Sequence, residues 1–167
     1  MHIELRVPNA VDTRLLARTY DPELEDVRAI LADVCGAVER QVQLVVSGFG
    51  QDRWPVDVRI DLAVLMEQLP SALLAVKSGM EGEIFFYEQG IQRQIFLSPA
   101  GDDTCLASCV SYAIAWEPDP AEEQIDRASL EQMLLAVQDS FMSLLRGILP
   151  ELAEHEWVRS WLTGRWP

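Results

Sequence analysis

The sequence predicts an α+β domain, in which an antiparallel meander of about 5–6 strands packs against amphipathic helices. Two observations predict this class. Short alternating segments and a hairpin occupy much of the first two thirds, whereas the C-terminal third carries long helical stripes. Strands that run into helices without regular βαβ alternation favour an antiparallel sheet. Because 167 residues contain no linker or internal repeat, we expect one domain over residues 1–167.

The N-terminal part predicts two strands around one helix. Residues 2–7 alternate polar and apolar side chains, which indicates a short half-buried strand closed by Pro8. Apolar residues then recur three and four apart from 24 to 38, with Asp21 as the expected cap of an amphipathic helix. Residues 41–47 alternate again and predict the second strand.

The next segment predicts a strand followed by a helix. In "WPVDVRI", Val56, Val58 and Ile60 alternate with polar residues, so a strand is expected with these three side chains directed inward. A helical stripe follows from 62 to 77. Pro70 interrupts this stripe, which predicts a kink or two short helices.

The stretch "EGEIFFYEQGIQRQIFLSPAG" is the clearest hairpin in the chain. A two-residue turn at Gln89 and Gly90 would place Ile84 opposite Ile95, Phe85 opposite Gln94 and Phe86 opposite Arg93. A further turn at 99–103 and a long strand at 104–116 would extend the hairpin into a meander.

The strand at 104–116 raises the question of whether its two cysteines form a chemical site. In a strand, Cys105 and Cys109 would lie roughly 13 Å apart between Cα atoms, too far for a disulfide. Alternate residues instead form one bulky face and one face of Cys, Ala and Ser. The small face predicts close packing against a helix such as residues 129–147, with the cysteines as small apolar residues.

The C-terminal third predicts helices. Ser129 and Gln132 have capping-box spacing, and an apolar stripe then runs toward Gly147. Pro150 can begin another helix at its first turn. The tryptophans beyond it either cover the core or form a homodimer contact, namely Trp157, Trp161 and Trp166.

The charge of the chain excludes some classes of partner. Asp and Glu number 27 against 13 Lys and Arg, giving a net charge of −14. Nucleic acid and anionic membranes would be repelled, whereas a basic protein would be attracted. Solubility alone is the alternative explanation for this charge. With no basic start before an apolar run and no stretch long enough to span a bilayer, a cytoplasmic protein is expected.

The residues that carry enzyme or metal chemistry are sparse. The chain has only His2 and His155, which do not combine with the cysteines in a zinc-ligand spacing. No nucleophile-elbow, P-loop or dinucleotide fingerprint is present. We therefore expect no catalytic residue, no bound metal and no cofactor.

Clustered carboxylates are the candidate binding residues. A partner-binding surface is predicted from charge at Asp102, Asp103, Glu117, Asp119, Glu122, Glu123 and Asp126, with Tyr87 as an aromatic anchor. Solvated turns and helix starts are the alternative explanation of the same residues.

The segments "WPVDVRIDLAVLMEQLP", "EIFFYEQGIQRQIFL" and "SFMSLLRGILPELAEHEWVRSWL" give the chain its resemblance to a class of bacterial proteins. In layout and composition, residues 40–163 resemble the small acidic immunity proteins of polymorphic toxin systems. The resemblance implies a non-enzymatic protein that binds and neutralises a cognate toxin in the cytoplasm. An acidic secretion chaperone for an effector protein, usually dimeric, is a second interpretation, and an enzyme of unrecognised type is a third.

Overall fold

The structure, a computed structural model, describes residues 1–11, 18–88 and 90–164. Its elements alternate between strands and helices in the first half and end in helices. In chain order they are β1 (His2–Arg6), α1 (Val27–Val38), β2 (Gln43–Ser47), a π-helical segment (Val58–Leu62), α2 (Ala63–Lys77), β3 (Gly82–Phe86), β4 (Arg93–Pro99), β5 (Thr104–Ser111), β6 (Glu122–Asp126), α3 (Arg127–Ile148), α4 (Pro150–Ala153) and α5 (Glu156–Trp161). The α+β class predicted from the sequence is therefore confirmed.

The strands divide between two antiparallel sheets rather than forming one meander. β1 pairs with β2, and the remaining strands form a second sheet in the order β3-β4-β5-β6. α2 contacts β3, while α3 contacts β1, β5, β6 and α2. The helices and the inward side chains of both sheets thus enclose a common apolar core.

The hairpin register agrees with the prediction from sequence. β3 and β4 pair Ile84 with Ile95, Phe85 with Gln94 and Phe86 with Arg93. The strands end at Phe86 and Arg93, so the connection is longer than a two-residue turn. Gln89, half of that predicted turn, lies outside the described residues.

The predicted strand in "WPVDVRI" is wrong. Residues Val58–Leu62 form a π-helical segment that continues into α2. Its start is capped reciprocally, because Asp57 accepts the Ile60 N–H at 2.7 Å and Asp61 accepts the Asp57 N–H at 2.7 Å. Two carboxylates four apart satisfy the free N–H groups of a helix start, which outweighs the alternating pattern.

Two helices begin at residues other than those predicted: α1 begins later in the chain, and α3 begins earlier. α1 begins at Val27 with Asp26 as its cap, and Asp21 instead accepts the Glu23 N–H in the preceding turn. α3 begins at Arg127 with Asp126 as its cap, so Ser129 is a first-turn residue. The segment before α3 pairs with β5 as strand β6, an element that the charged, non-alternating sequence did not indicate.

Helix α2 continues through Pro70 without a break into two helices. Proline has no N–H, so the carbonyl of Met66, four residues earlier, loses its helical partner. The indole Nε1 of Trp161 donates a hydrogen bond to that carbonyl at 2.8 Å. α5 therefore supplies the donor that α2 lacks, and the ring of Trp161 is buried in the core.

Replacing Trp161 by phenylalanine should lower the free energy of unfolding by about 1–3 kcal/mol, because the buried Met66 carbonyl loses its donor. Urea unfolding measures the change. In a Pro70→Ala background the restored N–H can bond Met66, so the same Trp161→Phe substitution should cost less than half as much. If Trp161→Phe lowers the free energy of unfolding equally in both backgrounds, the loss comes from ring packing and not from the hydrogen bond to Met66.

Candidate protein-binding surface

One face of the four-stranded sheet carries no covering element among the described residues. Inward side chains of β3, β4 and β5, such as Ile84, Ile95 and Ala107, are buried in the core. On the other side Phe96, Val110 and Tyr112 are 36%, 39% and 54% exposed. We name this surface the open sheet face and define it by Glu83, Phe85, Phe96, Leu106, Val110, Tyr112 and Glu122.

The aromatic rings of the open sheet face contact one another. The ring of Phe85 lies 5.6 Å from that of Tyr112 and 6.0 Å from that of Tyr87, between centroids. The hydroxyl of Tyr112 donates to Gln94 Oε1 at 2.7 Å. These contacts hold the rings in place before any partner binds, which reduces the entropy cost of association.

The charged groups of this face are carboxylates. Glu83 pairs across the sheet with Phe96, Phe96 pairs with Ser108, and Ser108 pairs with Glu122, so one acid lies at each end of this row. Gln94 Nε2 donates to Glu83 at 2.8 Å. Arg93 is the one basic residue within β3 to β6, and it is buried on the inward side. The open sheet face is therefore apolar and anionic.

The structure separates the sequence-predicted acidic residues into groups. Asp102 and Asp103 are exposed in the β4–β5 turn, near Asp126, because Arg127 N–H donates to the Asp103 carbonyl at 2.8 Å. Glu117 and Asp119 are exposed in the connection from β5 to β6, at the opposite end of β5. These acids do not form one continuous cluster, and their role in partner binding stays a prediction.

All three acids of β6 accept hydrogen bonds from other groups of the chain, and Glu122 accepts one from the Ser108 hydroxyl at 3.5 Å. Glu123 faces inward and accepts hydrogen bonds from the Phe49 N–H and from the N-terminal amine of Met1. Asp126 accepts the Ser129 N–H and hydroxyl, each at 2.8 Å, and these bonds lower the pKa of its carboxyl. Glu122 and Asp126 both lie on the outward side of β6, opposite Ser108 and Thr104, but Asp126 is engaged as the cap of α3.

Tyr87 lies beside the ring of Phe85, at the edge of the open sheet face. Its hydroxyl donates to Glu67 Oε2 at 3.0 Å. Burial and this hydrogen bond raise the pKa of Tyr87 to about 12. The residue is 43% exposed, so it can contact a partner as a neutral aromatic side chain.

Arg93 and its two tryptophans form a cluster that the sequence reasoning did not single out. The guanidinium lies 3.6 Å from the ring centroid of Trp116 and 4.6 Å from that of Trp54. Nη1 donates to Gln51 Oε1 at 2.6 Å, and Nε has no protein partner. Burial lowers the pKa of Arg93. Stacking on both rings partly offsets the cost of burying the charge.

This cluster also explains why the strand predicted at 104–116 is shorter. β5 ends at Ser111, and the chain bends so that Trp116 packs against Arg93 and Trp54. The alternation that places Arg93 on the same side as Ile95 and Leu97 was visible in the sequence. The bend after Ser111 carries Ile114 into solvent.

The two cysteines of β5 are structural. Cys105, Ala107 and Cys109 are buried together on the inward face, as the alternation predicts, and α3 contacts β5. Both thiols are free, and burial raises the pKa of Cys109 to about 11. Within residues 1–11, 18–88 and 90–164, no group of three or more His, Cys, Asp or Glu side chains is arranged to hold a metal ion.

A cavity of about 510 Å³ lies between α1, the π-helical segment and α2. Two of its carboxylates already have partners: Arg18 Nε donates to Asp33 at 2.7 Å, and Glu67 accepts the Tyr87 hydroxyl. Arg28 lies 3.9 Å from Glu67. The lining of this cavity includes the cations Arg28 and Arg59, whereas the charged groups of the open sheet face are carboxylates.

None of the helices in the described part of the chain combines the length and apolar character that crossing a membrane requires. Comparisons of the chain with protein-family models, with curated proteins and with solved structures find no match.

Proposed function

We propose that this chain is a non-catalytic protein-binding module whose open sheet face docks onto a basic surface of a partner protein, and that the partner is a toxin which the chain neutralises. The observation that carries the proposal is the uncovered sheet face. Large apolar side chains are exposed there, and exposed apolar surface on folded domains commonly marks interaction sites.

The composition of the face supports a protein partner. Interface centres are enriched in aromatic residues, and here Phe85 and Phe96 lie on adjacent strands while Tyr112 directly follows the end of β5. A ring of near-neutral or charged groups around such a centre excludes water from it. Glu83 and Glu122 would occupy that rim and meet cations of the partner.

The charge of the whole chain supports a basic partner. A net charge of −14 attracts cationic proteins over a distance of roughly 10 Å at moderate ionic strength. Occlusion of a toxin's basic substrate-binding surface needs no chemistry from the binder. This agrees with the few catalytic and metal-binding residues in the sequence, and with the resemblance to immunity proteins.

The test begins with photo-crosslinking from position 112 in the native cell and purification of the captured protein. Its affinity is then measured for the wild type, for Val110→Arg on the open sheet face and for Leu135→Arg, an equally exposed site on α3. Val110→Arg should weaken binding about 100-fold or more, and Leu135→Arg should not. The association rate should fall as salt rises.

The toxin assignment is tested by expressing the captured protein alone and with the chain. Expression alone should stop growth, the wild-type chain should restore it, and Val110→Arg should fail to restore it. A partner that binds Val110→Arg as tightly as the wild type would overturn the docking face. A partner that does not affect growth would overturn the toxin assignment.

A further inference from the structure

A second surface for a partner lies between β1 and α3. There the structure has a groove with a volume of about 550 Å³. One wall is β1, the other is α3, and β6 contributes one side chain. The apolar lining includes Ile3, Leu5, Ile125, Met133, Ala136 and Val137. None of these residues belongs to the open sheet face.

Both strands that border the groove have an edge without a strand partner. Within the described residues, β1 pairs with β2 and β6 pairs with β5, and neither has a second neighbour. Such an edge presents backbone N–H and C=O groups that can pair with another extended chain. The groove therefore offers backbone recognition as well as apolar contact.

The backbone of β1 shows which way its free donors point. The Ile3 N–H donates to the sulfur of Met133 at 3.2 Å, a weak acceptor, rather than to another strand. Ile3 pairs with Val46 and Leu5 with Leu44, so the two residues occupy equivalent positions in the β1–β2 ladder. Because N–H directions alternate along a strand, the Leu5 N–H points to the same side.

These donors favour an extended occupant over a helical one. The carbonyls of a helix are already bonded within the helix, whereas an extended segment can offer a carbonyl at every second residue. β1 is about 16 Å long, which matches a segment of roughly five residues. The apolar side chains of the bound segment would contact Met133 and Val137, once the hydrogen bond between the Ile3 N–H and the Met133 sulfur is broken.

The charge of the chain favours a cationic segment. Glu4 is the one carboxylate that lines the groove, and Arg6 contacts it at 2.8 Å. The preference for a cation therefore comes from long-range attraction toward the net charge of −14.

We propose that the groove between β1 and α3 binds an extended, basic segment of a partner polypeptide, which adds as a strand to the edge of β1. The site is separate from the open sheet face, so it extends the proposed function rather than depending on it.

The probe is a phage library of random short peptides, panned against the immobilised wild-type chain. Enriched sequences should contain Lys or Arg with alternating apolar residues. Ala136→Trp fills the groove from an exposed position on α3, and Ala128→Trp is the matched control on the same helix outside it. A synthetic enriched peptide should bind Ala136→Trp at least about tenfold more weakly than the control. Thermal unfolding checks that both variants fold.

Amide exchange distinguishes strand addition from side-chain contact alone. On addition of the peptide, the amide protons of Ile3 and Leu5 should exchange more slowly. Failure to enrich any peptide, equal binding to both tryptophan variants, or unchanged exchange at Ile3 and Leu5 would overturn the proposal. A dimer of the chain by itself that Ala136→Trp abolishes would also overturn it, because the occupant would then be a second copy.

Discussion

Replacing Gly50 by alanine is expected to lower the free energy of unfolding by about 3 kcal/mol or more. Gly50 has φ +80°, a conformation that L side chains rarely adopt. A Cβ at this position would lie 1.8 Å from the carbonyl oxygen of Asp119, a backbone atom that cannot rotate away. The neighbouring Asp119 N–H donates to the Phe49 carbonyl at 3.1 Å, so moving that segment would break a hydrogen bond.

Gly101 provides the matched control. It also has positive φ, +114°, but a Cβ there meets no atom within 4 Å. Gly101→Ala should therefore lower the free energy of unfolding only through backbone strain, by about 1–2 kcal/mol. Urea unfolding monitored by tryptophan fluorescence measures both. If the two substitutions cost the same, the close approach of residues 50 and 119 would be unimportant for stability.

The Gly50 contact also bears on the proposed binding surface. It attaches the connection between β5 and β6 to the turn after β2, and the same connection carries Trp116 onto Arg93. Tyr112 and Ile114 lie at the start of that connection. Gly50→Ala variants that remain folded at low temperature are therefore expected to bind the partner more weakly than Gly101→Ala variants.

Replacing Asp61 by asparagine should stabilise the fold at pH 8 by about 2 kcal/mol and change it little at pH 4. Asp61 is 4% exposed. Burial raises the pKa of its carboxyl to about 6, although the Asp57 N–H opposes this. The ordinary value for an unfolded chain is about 3.9, so the folded state holds the proton more tightly. Stability from this group is therefore fully present below about pH 4 and is lost as the pH rises through 6.

Asparagine keeps the oxygen that accepts the Asp57 N–H, but it cannot ionise. The stability of the Asp61→Asn variant should therefore not fall as the pH rises through 6. The measurement is urea unfolding of both proteins at several pH values between 4 and 8. Asp52→Asn, at an exposed turn position, is the control for replacing an aspartate by asparagine outside the core. A constant difference between Asp61→Asn and wild type across this range would contradict the raised pKa.

Local patterns predicted several elements well because neighbouring residues specify them. Alternation in "EIFF" and "RQIFL" was sufficient to predict the β3–β4 register. A shift of the pairing by one residue would turn the side chains of one strand away from the core. The same alternation assigned Cys105 and Cys109 to a buried face. The stripe from Leu130 to Leu145 predicted a long helix. Each of these required only that apolar side chains reach a common core.

Contacts between distant residues were not predictable in this way. Met66 depends on a donor from Trp161, and Arg93 depends on Trp54 and Trp116. Glu123 looked like a surface acid in the sequence, but it bonds to Phe49 and Met1. The strand expected at Val56 to Ile60 failed because a reciprocal cap between Asp57 and Asp61 competes with alternation.

The sequence by itself determined the α+β class, the acidic character and the hairpin, because these follow from residue type and spacing along the chain. The tertiary structure decided which surface is available for binding. Whether the bulky side of β5 faces solvent or a helix depends on where α2 and α3 pack, and they pack on the side of Cys105 and Ala107. Phe96, Val110 and Tyr112 are left exposed beside carboxylates for that reason.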